Sequence, residues 1–219
     1  MVTYFDNIID IDLLLNLDKF NSNKLNIFFS KKNNILFAIY FYCKLGMVDK
    51  LNYVINIISE DVQLYECVKN SKENNEFLCI ACNNGYYDIV KILLEFGVDS
   101  NYLNGKPLII SVQKNHANIV ELLLKNGADT SKMSEKISKI CCIHNYYEIF
   151  NLLIENGIFL LDYYKNLLNL CFEYNSAECA KLLIKYGNDH IDYQTFNNYK
   201  ILDEEEFLNF SDNDNQSDK

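Results

Sequence analysis

The hydrophobic residues of the chain recur in four blocks that superimpose without gaps. The blocks are residues 88–99, 118–129, 148–159 and 178–189. In the first block Ile89, Leu93 and Leu94 are spaced as one face of a helix, and a polar or acidic residue stands at the start of every block. Each block also contains a glycine, 30 residues after the previous one: Gly97, Gly127, Gly157 and Gly187. Because a left-handed residue after a helix costs least without a Cβ, each glycine is predicted to end its helix.

A second helical stretch precedes each block. One column of this stretch holds only small residues, namely Ala81, Ser111, Cys141 and Cys171. The stretch ends at residues that tolerate left-handed geometry, namely Gly85, Asn115, Asn145 and Asn175. The pattern therefore predicts an all-α repeat of helix, tight turn, helix and loop. Such units bury their apolar faces by stacking into a solenoid.

The repeat is less regular before residue 74. The glycine and acid of residues 45–56 recur in 84–95 at a separation of 39, which indicates an insertion of about nine residues near 59–75. The predicted organisation is a degenerate cap (1–33), an irregular repeat with the insertion (34–73), three repeats (74–104, 105–134, 135–164), a C-terminal repeat (165–195) and an acidic tail (196–219).

Composition narrows the possible functions. Hydrophobic residues make up 49% of the 219 positions, enough for a folded core, and the formal net charge of −10 argues against nucleic acid as a partner. The N-terminus has no basic flank before its apolar residues, and no apolar run has the length of a membrane span. These features predict a soluble, monomeric protein of the cytoplasm that does not contact a membrane.

The acidic tail leaves two interpretations open. Residues 203–219 contain seven acids against Lys219, a balance of −6. This composition favours a disordered, solvated terminus. The embedded Phe207, Leu208 and Phe210 instead allow a binding arm for a basic partner.

The cysteines and histidines suggest chemistry that the repeat explains more simply. Cys79 and Cys82 have the spacing of half a zinc site, and Cys141, Cys142 and His144 would add ligands, but no second pair of matching spacing follows. A Cys–His nucleophile would need His116, His144 or His190, which align with unrelated residues in other repeats. We therefore expect no enzyme activity, no metal and no cofactor.

The repeats resemble ankyrin repeats, most fully at 81–99 and 112–129, where a small residue, a turn and a helix ending near Gly-Ala-Asp follow the family pattern. The resemblance implies an ankyrin-type solenoid. The unit here is short, about 30 residues against the usual 33, which implies reduced β-hairpin fingers. The short repeat, with its Lys, Asn and Tyr bias, is similar to the ankyrin families of giant DNA viruses of amoebae.

The resemblance implies a protein–protein interaction scaffold that binds a host or viral protein on its concave surface. The alternatives are an adaptor that recruits a ubiquitin ligase or another modifying enzyme, and a structural component of a viral particle. The predicted partner-binding residues occupy columns that vary between repeats and the loop tips. They are Asn83, Asn84, Tyr86, Tyr102, Leu103, Asn104, Gln113, Lys114, His116, Lys132, Met133, Ile143, His144, Tyr146, Tyr163, Tyr164, Glu173 and Tyr174.

Overall fold

All regular elements of the described part of the chain are helices. The computed structural model describes residues 14–17, 29–158 and 160–190. The helices are α1 (Lys32–Leu45), α2 (Val48–Ser59), α3 (Val62–Lys69), α4 (Glu73–Asn84), α5 (Tyr87–Glu95), α6 (Tyr102–Gln113), α7 (Ala117–Lys125), α8 (Ser134–His144), α9 (Tyr147–Glu155), α10 (Tyr164–Glu173) and α11 (Ala177–His190), with a 3₁₀ turn (Leu161–Tyr163) before α10. The predicted all-α class is confirmed.

The helices fall into two compact units, Met1–Asp129 and Thr130–Lys219. In the first unit α1, α4 and α6 pack side by side as an inner layer, while α2, α5 and α7 pack as an outer layer. The inner helices α1, α4 and α6 also contact the outer helices α2, α5 and α7, respectively. The inserted helix α3 belongs to neither layer and contacts α1 and α2. In the second unit α8 and α10 pack together, as do α9 and α11. Both units are thus built from stacked helix hairpins.

The turn between paired helices has the predicted left-handed residue. Gly85, Asn115, Asn145 and Asn175 have φ values of 75°, 57°, 52° and 54°. The N–H of the residue after the turn donates to the carbonyl of the small-residue column, as from Tyr86 to Ala81 at 3.1 Å and from His116 to Ser111 at 3.0 Å. This bond satisfies a carbonyl that the helix end leaves unpaired. The prediction of tight left-handed turns is confirmed.

The glycine that follows the second helix does not have the same role in every repeat. Gly97, Gly127 and Gly157 have positive φ and follow their helices, as predicted. The prediction is wrong for Gly187, because α11 continues through it to His190. A Cβ at Gly187 would lie 2.5 Å from the hydroxyl oxygen of Tyr164. Glycine is required there for close packing of the Tyr164 ring.

The extra residues between the first two hairpins form helix α3. Asp61 caps its start by accepting from the N–H groups of Gln63 and Leu64, both at 3.0 Å. The Tyr65 ring packs edge-on against Phe96 at the end of α5, with ring centroids 5.1 Å apart. The inserted helix packs mainly on α1 and α2 and reaches the following repeat through this ring contact.

The ends of the chain lie mostly outside the described residues. Of the predicted N-terminal cap, Leu14 is buried, and its carbonyl accepts from the Tyr42 hydroxyl at 3.1 Å. The acidic tail (196–219), and with it both interpretations of its role, lies outside the described part of the chain. The repeat boundaries given above stay a prediction.

Candidate partner-binding site

The inner helices of the first unit line an open groove of about 430 Å³. Helix α4 supplies five of its nine lining residues, and α1 and α6 supply two each. The lining residues are Tyr40, Lys44, Glu76, Cys79, Ile80, Asn83, Asn84, Lys106 and Ile110. We call this surface the inner groove.

Two apolar residues that line the inner groove, Ile80 and Ile110, belong to one column of the repeat. Phe41, Ile80 and Ile110 occupy equivalent positions on α1, α4 and α6, and all three side chains are half-buried. Ile140 and Leu170 hold the same position in the second unit and are half-buried too. This column is absent from the predicted partner-binding residues, because a position that is apolar in every repeat indicates a core residue. Its position beside the exposed column of Asn83 could have indicated partial exposure.

Aromatic rings extend the apolar surface on α1. The Tyr40 ring lies 6.1 Å from Phe77 of α4 and carries the Lys44 ammonium 5.7 Å above its centroid. The Phe37 and Phe41 rings stack at 6.1 Å, and both are half-buried. The groove thus joins an apolar floor to a lysine at the C-terminal end of α1.

Two predicted residues line the inner groove directly. Asn83 and Asn84 are exposed at the end of α4, and the Asn83 amide donates to Asn84 at 3.3 Å. Gln113 and Lys114 hold the equivalent positions at the end of α6 and are exposed. This end of the inner helices is polar and accessible.

Tyr86 and His116, both predicted to bind a partner, each pack against a turn of the preceding repeat. Both are half-buried and cover the turn of the preceding hairpin. A Cβ built at Gly46 would lie 3.0 Å from the Tyr86 ring, and one at Gly85 would lie 2.7 Å from His116 Cε1. His116, a predicted partner-binding residue, therefore also packs against the turn of a neighbouring repeat. The ring fills the space that the turn glycine leaves open.

The first turn of α6 has a left-handed backbone, at the place where an ankyrin repeat usually has a finger. Leu103, Asn104 and Gly105 have φ values of 47°, 55° and 77°. The conformation costs roughly 1–2 kcal/mol for each residue with a Cβ. Leu103 and Asn104 are exposed and Tyr102 is half-buried, so this predicted loop tip is accessible.

The Asn101 side chain links the loop before α6 to the loop after α7 by hydrogen bonds. The Asn101 amide donates to the Gly127 carbonyl at 2.9 Å, and its oxygen accepts from the Asp129 N–H at 2.7 Å. Asn75 similarly accepts from the Asp99 N–H at 3.2 Å. Within the described residues these loops contain no strand, so the side chains join successive loops where a hairpin would use its backbone.

In the second unit the predicted residues divide between surface and core. Lys132, His144, Glu173 and Tyr174 are exposed, and Ile143, Tyr146 and Tyr163 are half-buried. The rings of His144 and Tyr146 stack with centroids 5.2 Å apart. The predicted exposure of Met133 and Tyr164 is wrong, since they are 5% and 1% exposed. They lie at the start of α8 and α10, and Tyr164 packs against Gly187.

The cysteines are placed as core residues. Seven of the eight are buried, and Cys67 is exposed. Burial raises the pKa of the Cys79 thiol to about 11, with Lys106 lowering it and Glu76 raising it further. Burial likewise raises the pKa of Cys82 and of Cys179 to about 12. At neutral pH these groups are protonated thiols, which are weak nucleophiles and poor metal ligands.

Metal sites and membrane-spanning helices are two further features for which the described ranges can be searched. They contain no group of three or more His, Cys, Asp or Glu side chains that could hold a metal ion. None of the helices described has both the length and the apolar composition that a membrane crossing requires. The side chain of His190 lies outside the description.

Stacked helix hairpins with left-handed turns define a helical-repeat protein, and comparison with known proteins identifies the kind of repeat. A family model for ankyrin repeats in three copies matches residues 11–134, so this chain belongs to the ankyrin-repeat family. The crystal structure of the human ASB11 ankyrin repeat domain is similar, with a TM-score of 0.53, 22% identity and coverage of 68% of each chain. That likeness supports the fold. A comparison with curated proteins finds no match.

Proposed function

We propose that this chain is a non-enzymatic interaction module that binds a segment of a partner protein in the inner groove. The ankyrin repeat is a general protein-interaction module, and its family is typically non-enzymatic. The observation that carries the proposal is the half-buried apolar column through Ile80 and Ile110, bordered by exposed polar side chains. An apolar centre with a polar rim is the usual anatomy of a protein interface.

A comparison of matched variants tests this function. Ile80→Ala removes side-chain atoms from the floor of the inner groove, while Ile92→Ala makes the same change at a half-buried isoleucine on the outer helix α5. We expect proteins captured from a lysate by the original chain and by Ile92→Ala to be lost with Ile80→Ala. Urea unfolding would check that the two variants are similarly stable. An identical set of captured proteins for all three would contradict the proposal.

The resemblance described above leads us to propose a host or viral protein as the partner and a cytoplasmic, monomeric state for the chain. The adaptor and viral-particle roles stay predictions. A C-terminal docking segment would fall in the residues outside the description, so no observed contact favours either role.

A further inference from the structure

The inner groove has a charge that differs from that of the chain. The whole protein has a formal net charge of −10, yet the groove is lined by two lysines, Lys44 and Lys106, and one acid, Glu76. The surface that the proposed function assigns to a partner is therefore locally basic.

The two lysines lie in different surroundings. Lys106 and Glu76 occupy equivalent positions on neighbouring helices, and both act electrostatically on the Cys79 thiol, with opposite signs. Their charges offset each other at that end of the groove. Lys44 lies in the last turn of α1, and Leu45 follows it. The equivalent pair at the end of α4 is Asn83 and Asn84, and the equivalent pair at the end of α6 is Gln113 and Lys114. Among the described residues that line the groove, Glu76 is the one acid, and this end contributes Lys44 and two amide side chains.

The floor of the groove selects for apolar groups. Tyr40, Ile80 and Ile110 expose carbon surface beside the basic end. A volume of about 430 Å³ falls within the range of sites that hold a small ligand, and it accommodates a few side chains of a peptide. An occupant that matches both features has apolar side chains beside a carboxylate.

We infer that the inner groove recognises a partner segment in which an aliphatic or aromatic side chain lies next to an aspartate or glutamate. The inference rests on the proposed function. The apolar side chain packs on Ile80 and Ile110, and the carboxylate faces Lys44, Asn83 and Asn84. A charge at the border of an interface contributes to specificity and to the rate of association, and salt weakens its effect.

Selection from a display library of short random peptides tests the inference with the full chain. We expect the recovered peptides to be enriched in Asp or Glu beside Ile, Leu or Phe. Their affinity should fall at least tenfold in Lys44→Glu and decrease as salt is raised. Lys91→Glu, on the outer helix α5, makes the same charge change at an exposed site and should leave the affinity unaltered.

The outcomes separate the inference from the proposed function. Peptides whose binding depends on Ile80 but that show no acidic enrichment, or that bind Lys44→Glu undiminished, would overturn the inference and leave the proposed function standing. Failure to recover any peptide that depends on Ile80 would overturn both. Residues 203–219 are themselves acidic with embedded Phe207, Leu208 and Phe210. If a synthetic peptide of that segment bound the groove more tightly than every selected peptide, the inferred partner would be displaced by the chain's own tail.

Discussion

The two units use the same hairpin but fill their cores with different side chains. Leu78 and Leu108 occupy equivalent buried positions on the inner helices of the first unit. The next repeat has Ser138 there, fully buried, with no hydrogen-bond partner for its hydroxyl among the described residues. The first unit is therefore aliphatic at both of these positions, whereas the second unit has Ser138 in one repeat and the buried Leu168 in the other.

The outer helices show the same contrast. Ile89 and Ile119 pack in the first unit, and Ile149 does so in the second, but Cys179 replaces them in the last repeat. Cys179 lies close to the Cys141 carbonyl, with its sulfur 3.4 Å from the oxygen. A hydrogen bond with Cys171 and burial raise the pKa of Cys142. Small polarisable side chains fill much of this core.

The comparison shows that the residues that set the geometry of a repeat differ from the residues that set its stability. Asn115 and Asn145 form nearly identical left-handed turns, although the cores beside them differ. The turn and the helix ends fix the hairpin geometry, whereas the volume of apolar side chain sets the free energy of unfolding. We therefore expect the second unit to be the less stable of the two.

Thiol labelling should give the largest contrast. Exposed Cys67 should react on the order of a thousandfold faster than any buried thiol, because buried thiols react only after opening of the structure. Cys141, Cys142, Cys171 and Cys179 should then react before Cys43 and Cys82, by at least about tenfold if opening costs 1.4 kcal/mol less in the second unit. The measurement is pulsed maleimide labelling with mass spectrometry.

The pH dependence of labelling provides its control. Burial raises the pKa values of Cys82 and Cys179 alike, to about 12, so differences in thiolate fraction within the folded state do not separate the units. Labelling of both units should accelerate as the pH rises. Equal rates for Cys82 and Cys179 would mean that the two units open together.

Giving the first unit the serine of the second unit's core should lower the stability of the first unit. Leu108→Ser leaves a cavity and a buried hydroxyl in the first unit, and we expect a loss of about 3 kcal/mol in the free energy of unfolding. Urea unfolding measures it, with Leu45→Ser at an exposed helix position as the control. A loss below about 1 kcal/mol would show that the first unit tolerates the core of the second.

The Gly187 contact can be tested by a double-mutant cycle within the second unit. Gly187→Ala forces a Cβ against Tyr164 and should cost about 1–3 kcal/mol. Tyr164→Phe removes the closest atom and should recover part of that loss. In Gly157→Ala the cost comes from a φ of 76°, with no atom within 4 Å of the new Cβ, so the same tyrosine change should recover nothing. Thermal unfolding of the three single variants and of the two double variants that contain Tyr164→Phe compares them. Additive effects of Gly187→Ala and Tyr164→Phe would contradict the contact.

Removing the buried Ser138 hydroxyl should have the smallest effect on the free energy of unfolding, and it should stabilise the protein rather than destabilise it. Ser138→Ala deletes a buried oxygen that has no partner, so we expect a gain of about 1 kcal/mol in the free energy of unfolding. Ser134→Ala on the same helix deletes a hydroxyl that donates to the Thr130 carbonyl at 2.9 Å and should destabilise the unit. If urea unfolding showed that both changes stabilise the protein, or that both destabilise it, the conclusion that the Ser138 hydroxyl has no hydrogen-bond partner would be wrong.

Much of the fold could be predicted because it depends on local chemistry that repeats. The 30-residue spacing of Gly97, Gly127 and Gly157 reports helix ends, and the left-handed residues Asn115 and Asn145 report turns. Each of these features needs only neighbouring backbone atoms to form. Gly187 has the same spacing and a different role, because its reason lies in the distant ring of Tyr164.

The candidate site was less accessible to prediction. Asn83 and Asn84 were predicted from their variability, but Tyr40, Lys44 and Ile110 line the same groove only because three inner helices pack side by side. Tyr164 and Met133 are buried because they lie where a loop meets the core. Exposure of such residues depends on neighbours from other repeats.

The sequence by itself determined the helices, the turns and the ankyrin repeat, since their signals are local and recur in register. Only the tertiary structure decided that Ile80 and Ile110 form a half-buried floor, that His116 covers a turn glycine and that Lys44 and Lys106 line the same groove. These are relations between helices that are far apart in the chain, and they exist only after packing brings the side chains together.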